Sequence, residues 1–175
     1  MRAGLTKAFA QARRLLCSPF VFLFLLIGPQ SHAQIGGSLS SPFAGFAGSW
    51  SGSGTIALSN GTTERLRCRA TYAVAAAGRN LRQNLRCASD TYNFELRTNV
   101  RYEGGVLVGT WAETTRNLEG RISGRVNADR IDAVAEGPGF SAGLAMSARA
   151  ERQSVSIRSS GTELSQVSID LARTR

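Results

Sequence analysis

Histidine and lysine are almost missing from this sequence: His32 and Lys7 are the only examples in 175 residues. Beyond residue 32 the chain has neither, which removes the commonest general base, zinc ligand and haem ligand together. The plentiful serines and threonines therefore lack a standard activating base, and nucleophilic catalysis of the usual kind is not expected. Cysteine occurs three times. No C-x-x-C pair, EF-hand loop or phosphate-binding loop is present. Carboxylate pairs such as Glu113 with Glu119, or Asp129 with Asp132, fall at or near predicted turns and read as ordinary surface residues. A glycosidase would need two carboxylates facing across a cleft, which spacing alone does not provide. We expect no catalytic residues, no metal and no cofactor.

Long hydrophobic runs are also rare, and the one at the N-terminus has the plan of a secretory signal. Arg2, Lys7, Arg13 and Arg14 form a basic start, Ser18 to Pro29 an apolar run, and Ser31-His32-Ala33 a small-residue cleavage site. The apolar run is shorter than the about 20 residues of a membrane span. Residues 1–33 are thus expected to be a cleaved signal peptide, with an uncleaved N-terminal anchor as the alternative. Cys17 precedes the apolar run, so a lipoprotein signal does not fit. The segment after residue 33 keeps 17 basic residues, the whole chain's 21 less the four in the signal, against 12 acidic ones, a net charge of +5. All of its basic residues are arginine. Its two cysteines, Cys68 and Cys87, read as one disulfide of an oxidising compartment, periplasmic or secreted.

Residues 34–45 are rich in Gly, Ser and Pro and read as a flexible linker. From Phe46 to Arg175 short runs alternate apolar and polar residues, with turn-forming clusters about every ten residues, the pattern of an antiparallel all-β domain. A turn at Ala77-Gly78 pairs Val74 with Leu81, Ala70 with Leu85 and Cys68 with Cys87, so the cysteines support that register. A turn at Ser89-Asp90 puts Tyr92, Phe94 and Leu96 on the face of Cys87. Gly104-Gly105 sets Tyr102 against Leu107 and Thr98 against Trp111. Ala128-Asp129 pairs Val126 with Ile131, and Ser159-Ser160-Gly161 makes the last turn. About eight to ten consecutive hairpin strands with one apolar face favour closure into an up-and-down barrel, which removes exposed edges. A two-sheet sandwich is the runner-up. A transmembrane barrel needs an apolar exterior with aromatic girdles, and here arginine takes the outward positions.

The opening Gly48-Ser49-Trp50 resembles the G-x-W of lipocalins and other calycin-type barrels, in which the tryptophan plugs the closed end. The longer run Gly48, Trp50, Gly52, Gly54 is similar to the G-x-W-x-G-x-G opening of nitrobindin-type haem barrels. Those hold iron through a histidine near the C-terminus, which this sequence lacks; Tyr72, Tyr92 and Tyr102 could ligate haem in principle, although packing is the plainer role. The order Trp50, Cys68, Cys87, Trp111 also resembles small periplasmic inhibitors of bacterial metalloproteases, disulfide-bearing barrels that insert an N-terminal segment into the protease. The calycin resemblance implies a carrier or sensor of a small apolar or amphipathic ligand, lined by Trp50, Tyr72, Tyr92, Phe94, Tyr102 and Trp111. Gly109, Gly120, Gly124, Ala133, Ala135 and Ala142 either leave room inside or accommodate curvature.

The same register sends Arg65, Arg67, Arg69, Arg82 and Arg86 outward, sets Arg69 against Arg86 and places Arg82 beside Arg97. Like charges in opposition destabilise a sheet, so Glu64 and Glu95, or an external anion, must offset them. Guanidinium forks suit phosphate or carboxylate. A lipid phosphate, an acidic glycan or an acidic protein of the envelope fits this face, and so does plain solvation. The aromatic residues lie on the other face, which argues against a nucleic-acid partner. Two functions remain open: a small-molecule carrier, and a protein-binding module such as a protease inhibitor or an envelope-structural protein.

Overall fold

The computed structural model describes residues 41–75 and 77–175. The expected signal peptide and most of the expected linker lie outside the described residues. A short 3-10 turn, Ala44–Phe46, leads into ten strands: β1 Gly48–Leu58, β2 Thr63–Ala75, β3 Asn80–Ala88, β4 Asn93–Glu103, β5 Val106–Glu113, β6 Leu118–Asn127, β7 Arg130–Gly137, β8 Phe140–Arg149, β9 Arg152–Ser160 and β10 Leu164–Arg173. Every neighbour pair is antiparallel and consecutive, and β1 bonds to β10, so the sheet closes into a barrel without a free edge. The up-and-down barrel is therefore observed, and the sandwich is not.

Alternation in the sequence sorts inside from outside. Along β3 the buried positions are Leu81, Gln83, Leu85 and Cys87, and the outward ones between them are Arg82, Asn84 and Arg86. Apolar burial on one face is the main driving force for closing such a sheet. Outside, the only large apolar side chains left exposed among the described residues are Val106 and Val134.

The expected registers hold across three hairpins. Val74 pairs with Leu81, Ala70 with Leu85 and Cys68 with Cys87. Thr98 faces Trp111 and Tyr102 faces Leu107; Val126 faces Ile131. Ala77 and Gly78 have φ of 53° and 85°, as a type I′ turn requires. The Cys68 and Cys87 sulfurs stand at disulfide distance, with their Cα atoms 4.2 Å apart.

Two turns differ from the sequence reading. Between β3 and β4 the loop spans Ser89 to Tyr92 instead of turning on Ser89-Asp90, because Ser89 closes it on itself. Its Oγ accepts from the Tyr92 N–H at 2.9 Å, and its backbone N–H donates to the Tyr92 carbonyl at 2.8 Å. The pairing slips by two residues, which keeps every face but changes the partners. Arg82 thus faces Asn99, and Arg97 faces Asn84, instead of Arg82 lying against Arg97. Between β9 and β10, β9 runs through Ser160 and the loop follows it.

The small inward residues serve curvature. A Cβ on Gly52, Gly54, Gly109, Gly120 or Gly124 would collide with the backbone of the paired strand. These strands coil so tightly against their neighbours that only hydrogen fits.

Candidate functional site

Up-and-down connection gathers alternate loops at opposite ends of the barrel, and the two ends are built differently. One end is plugged. Phe43 and Phe46, both wholly buried, sit beneath it with Trp50. The Trp50 indole N–H donates to the Phe46 carbonyl at 2.9 Å, and the Arg173 guanidinium lies 4.2 Å from its ring centre. Arg173 also donates to the carbonyls of Ala47 and Gly45 and pairs with Glu151 at 3.1 Å. Ser41–Gly45, which fall in the expected linker, thus belong to the plug through Phe43.

Tyr72 strengthens the same end. Its hydroxyl donates to Gln153 Oε1 at 3.2 Å, and its ring lies 6.2 Å from Phe46. Burial pushes its phenol well above the ordinary tyrosine range, and the Gln153 hydrogen bond offsets only part of that. Tyr102, half-buried, is the penultimate residue of β4, toward the plugged end, where its backbone N–H donates to the Arg79 carbonyl at 2.8 Å.

The other end opens into a cavity of about 400 Å³. Tyr92, Phe94, Leu96, Trp111, Phe140, Leu144 and Ile157 supply its apolar wall. Trp111 is held in place by its indole N–H, which is shared between the carbonyls of Arg121 and Glu136 at 3.1 Å each. Its ring stands edge-on to Phe140, with centroids 5.5 Å apart. The glycine opposite, Gly120, is what lets the indole lie against the sheet, since a Cβ there would stand 3.0 Å from Trp111 Nε1.

Gln83 and Thr98 bring polarity to this apolar space, deeper in their strands than Phe94 and Leu96. Gln83, Thr98 and Gln153 are the buried polar residues among those described, and the Tyr72 hydroxyl is the ionisable group buried with them. Directly opposed residues form an inward row, Tyr72, Gln83, Thr98 and Trp111, that crosses β2 to β5. Strand tilt makes such a row climb from plug to mouth. The Gln83 Nε2 is buried and has no hydrogen-bond partner, and the same holds for Gln153 Nε2. Buried donors are nearly always satisfied, and an orphan calls for a cause.

Arg116 and Glu113 form the rim. The Arg116 guanidinium lies 4.1 Å from the Tyr92 ring centre and donates to the Asn93 carbonyl at 3.0 Å. The Glu113 carboxylate accepts from the N–H groups of Glu95, Thr115 and Arg116 at 3.1, 3.0 and 2.8 Å. Partial burial raises its pKa, but hydrogen bonding from the Thr115 side chain together with these backbone bonds outweighs it and the net shift is downward. Burial raises the Tyr92 pKa, with Arg116 opposing and Glu163 and Glu113 reinforcing.

Of the six aromatic residues expected to line a ligand, the structure brings Tyr92, Phe94 and Trp111 together at the open cavity and leaves Trp50, Tyr72 and Tyr102 at the plugged end. Gln83, Thr98, Glu113 and Arg116 are site residues to which the sequence reading gave no binding role. Gln83 carried a legible signal: it is the polar residue at an inward position of a strand whose other inward residues are apolar.

The arginine set lies on the outside. Arg65, Arg67, Arg69, Arg82, Arg86 and Arg97 are all exposed, and Arg69 faces Arg86. Glu95 offsets two of them, pairing with Arg86 at 3.0 Å and Arg97 at 2.8 Å. Glu64 does not join in. Its carboxylate instead accepts from Ser89 and Thr91 and ties the β3–β4 loop to β2. Arg65, Arg67, Arg69 and Arg82 have no carboxylate partner among the described residues. A wide, open space of about 920 Å³ spans β2 to β5, with Arg82 and Arg97 among its lining residues. It is larger and more open than the mouth cavity, and both outward residues such as Thr71, Asn84, Asn99 and Thr110 and the inward row Tyr72, Gln83, Thr98 and Trp111 contribute to it.

No group of three or more metal-ligating side chains occurs among the described residues, and no helix among them is long and apolar enough to cross a membrane. No family model matches the sequence, and no curated protein matches it. Among solved structures, this chain resembles the crystal structure of Rv2717c from M. tuberculosis. The TM-score is 0.59 at 14% sequence identity, with 76% of this chain and 95% of that chain covered, a likeness of fold.

Proposed function

We propose that this is an exported, non-catalytic binding protein of calycin-like build, a carrier or sensor that holds a small apolar or amphipathic ligand in the open end of its barrel. The observation that carries the reading is the mouth cavity itself. About 400 Å³ lies within the range of small-molecule sites, and an apolar wall with few polar groups is their usual composition. The plug of Phe43, Phe46 and Trp50 supports the reading by filling the opposite end. Export is supported by the signal-like N-terminus and by the cysteine pair, which belongs to an oxidising compartment.

Native mass spectrometry of protein purified from its own envelope fraction tests this. A retained small molecule, lost on denaturation, is the expected result. A clean apo mass together with a co-purifying protein would contradict it and favour the second reading, a protein-binding module that uses the arginine face. The observation behind that alternative is the row of outward arginines without carboxylate partners among the described residues, Arg65, Arg67, Arg69 and Arg82.

A further inference from the structure

We propose that the outer face of β1 to β3 is a second binding site, a strip on which a linear acidic glycan lies along β2. The strip is independent of the mouth cavity, and the proposal differs from the second reading above in the partner it gives to the arginine face.

Strand register builds the strip. Arg65, Arg67 and Arg69 take successive outward positions of β2 and are exposed, which sets their Cα atoms in a line at intervals of about 6.8 Å. On one side each is directly opposed by a hydroxyl of β1: Thr55 opposes Arg65, Ser53 opposes Arg67 and Ser51 opposes Arg69. On the other side Ala88 opposes Arg67, and Arg86 opposes Arg69.

No carboxylate among the described residues forms an ion pair with these three arginines. Glu64 is held by Ser89 and Thr91, and Glu95 is taken by Arg86 and Arg97. Asp170 lies beyond β1, opposite Ser53, and pairs with no arginine among the described residues. Strand β6 is built otherwise: its outward Arg121 and Arg125 stand directly opposite Glu136 and Asp132 of β7. Along β2 the register therefore leaves a row of cations open, and the Arg69–Arg86 opposition works against stability.

The surroundings of the row select its partner. Protein interfaces are anchored by apolar or aromatic side chains at their centre, and membrane surfaces hold a protein through inserted aromatic or leucine side chains. Neither kind lines the row, since the outward neighbours of the three arginines are Ser51, Ser53, Thr55, Thr71, Arg86 and Ala88. The large apolar side chains exposed among the described residues, Val106 and Val134, lie on β5 and β7. Single-stranded nucleic acid wants aromatic platforms, and the aromatic residues of β1 to β3, Trp50 and Tyr72, are buried. Charge and hydrogen bonding are what the strip offers. Guanidinium groups take carboxylates, the Ser and Thr hydroxyls suit sugar hydroxyls, and a chain with repeated acidic groups engages several cations at once.

An octamer of galacturonate, titrated into the purified protein by calorimetry at about 50 mM salt, is the probe, with maltooctaose as its neutral counterpart. The acidic octamer should bind and maltooctaose should not, and about 200 mM salt should weaken binding about tenfold, because exposed charges are screened. The triple variant Arg65→Gln, Arg67→Gln, Arg69→Gln should bind about tenfold or more weakly, with a melting temperature unchanged or raised because Arg69 no longer opposes Arg86. Arg67→Gln alone serves if the triple variant does not fold. The triple variant Arg121→Gln, Arg125→Gln, Arg158→Gln removes the same charge from elsewhere on the barrel and should change affinity by about twofold or less. Equal weakening by the two triple variants would mean attraction to net charge alone and overturns the proposal. Absence of octamer binding overturns it too, as does tighter binding of a thymidine octanucleotide, or binding of phosphatidylglycerol vesicles without binding of the octamer. None of these outcomes bears on the reading of the mouth cavity.

Discussion

The guanidinium of Arg116 lies over the ring of Tyr92, 4.1 Å from its centre, at the rim of the mouth cavity. That stacking joins the β5–β6 turn to the β3–β4 loop, the two loops that border the cavity beside Trp111 and Phe94. An exposed contact of this kind stabilises by about 0.5–1 kcal/mol. Arg116→Ala is therefore expected to lower global stability by about 1 kcal/mol or less and to speed ligand release several-fold. Stopped-flow displacement of decanamide, a small amphipathic probe, checks the rate, and urea unfolding checks the stability. A variant that releases more slowly would mean that the rim does not retain the ligand.

The cross-strand pair Cys68–Cys87 closes a loop with a sequence separation of 19. In the chain-entropy account such a loop is worth about 3 kcal/mol. Replacing both residues with alanine should lower the unfolding free energy by roughly that amount without changing the β-sheet circular dichroism. Peptide mapping without reductant should recover Cys68 and Cys87 in one linked fragment.

How much of this was legible in the sequence depends on which residues are considered. The β2–β3 register could be read because two independent signals, the Ala77-Gly78 turn and the opposed cysteines, named the same pairing. The β3–β4 register could not, because Ser89 lengthens its loop through side-chain hydrogen bonds that a dipeptide pattern does not reveal. Alternation correctly placed Tyr92, Phe94 and Trp111 inside, yet parity says nothing about depth. Only the strand tilt and the plug separate them from Trp50 and Tyr72. Glu113 read as an ordinary surface carboxylate because its partners are backbone N–H groups, which leave no trace in composition.

Lysine and histidine do not occur after residue 32, so tyrosine is the group left to titrate in moderately alkaline solution. Burial raises the folded pKa of Tyr72. Its contribution to stability is fully present below the ordinary tyrosine value of about 10 and is lost as pH rises above it, because the unfolded chain ionises first. Wild-type stability should fall from about pH 10 upward, and Tyr72→Phe should flatten that limb. Absorbance at about 295 nm, followed with pH, should show that Tyr72 ionises only with unfolding. A Tyr72 that titrates freely in the folded protein would contradict its placement in the plug.

The acid limb has the opposite sign. Hydrogen bonding from Arg97 and then Arg86 lowers the folded pKa of Glu95, and the hydrogen-bonded Glu113 is lowered as well. Their stabilisation is present above the unfolded carboxylate value of about 4 and is lost as pH falls through the depressed folded values. Glu95→Gln should make the melting temperature less sensitive to pH in that window. An unchanged acid limb would show that the Arg86 and Arg97 pairing contributes nothing measurable.

Gly120 offers a test of curvature. A side chain there would strike the Glu136 carbonyl and press on Trp111. Gly120→Ala should cost about 1–3 kcal/mol, the range for overpacking, and should alter Trp111 fluorescence. Gly143, where nothing lies within reach of an added Cβ, is the control, and Gly143→Ala should leave stability and emission nearly unchanged.

The two tryptophans of the chain sit at opposite ends of the barrel, Trp50 in the plug and Trp111 on the cavity wall. Their indole N–H signals in a proton–nitrogen NMR spectrum therefore report separately on the two ends. Adding decanamide as a small amphipathic probe should shift the Trp111 indole while leaving the Trp50 indole in place. Movement of Trp50 alone, or shifts confined to the outward arginines, would contradict a ligand held in the mouth of the barrel.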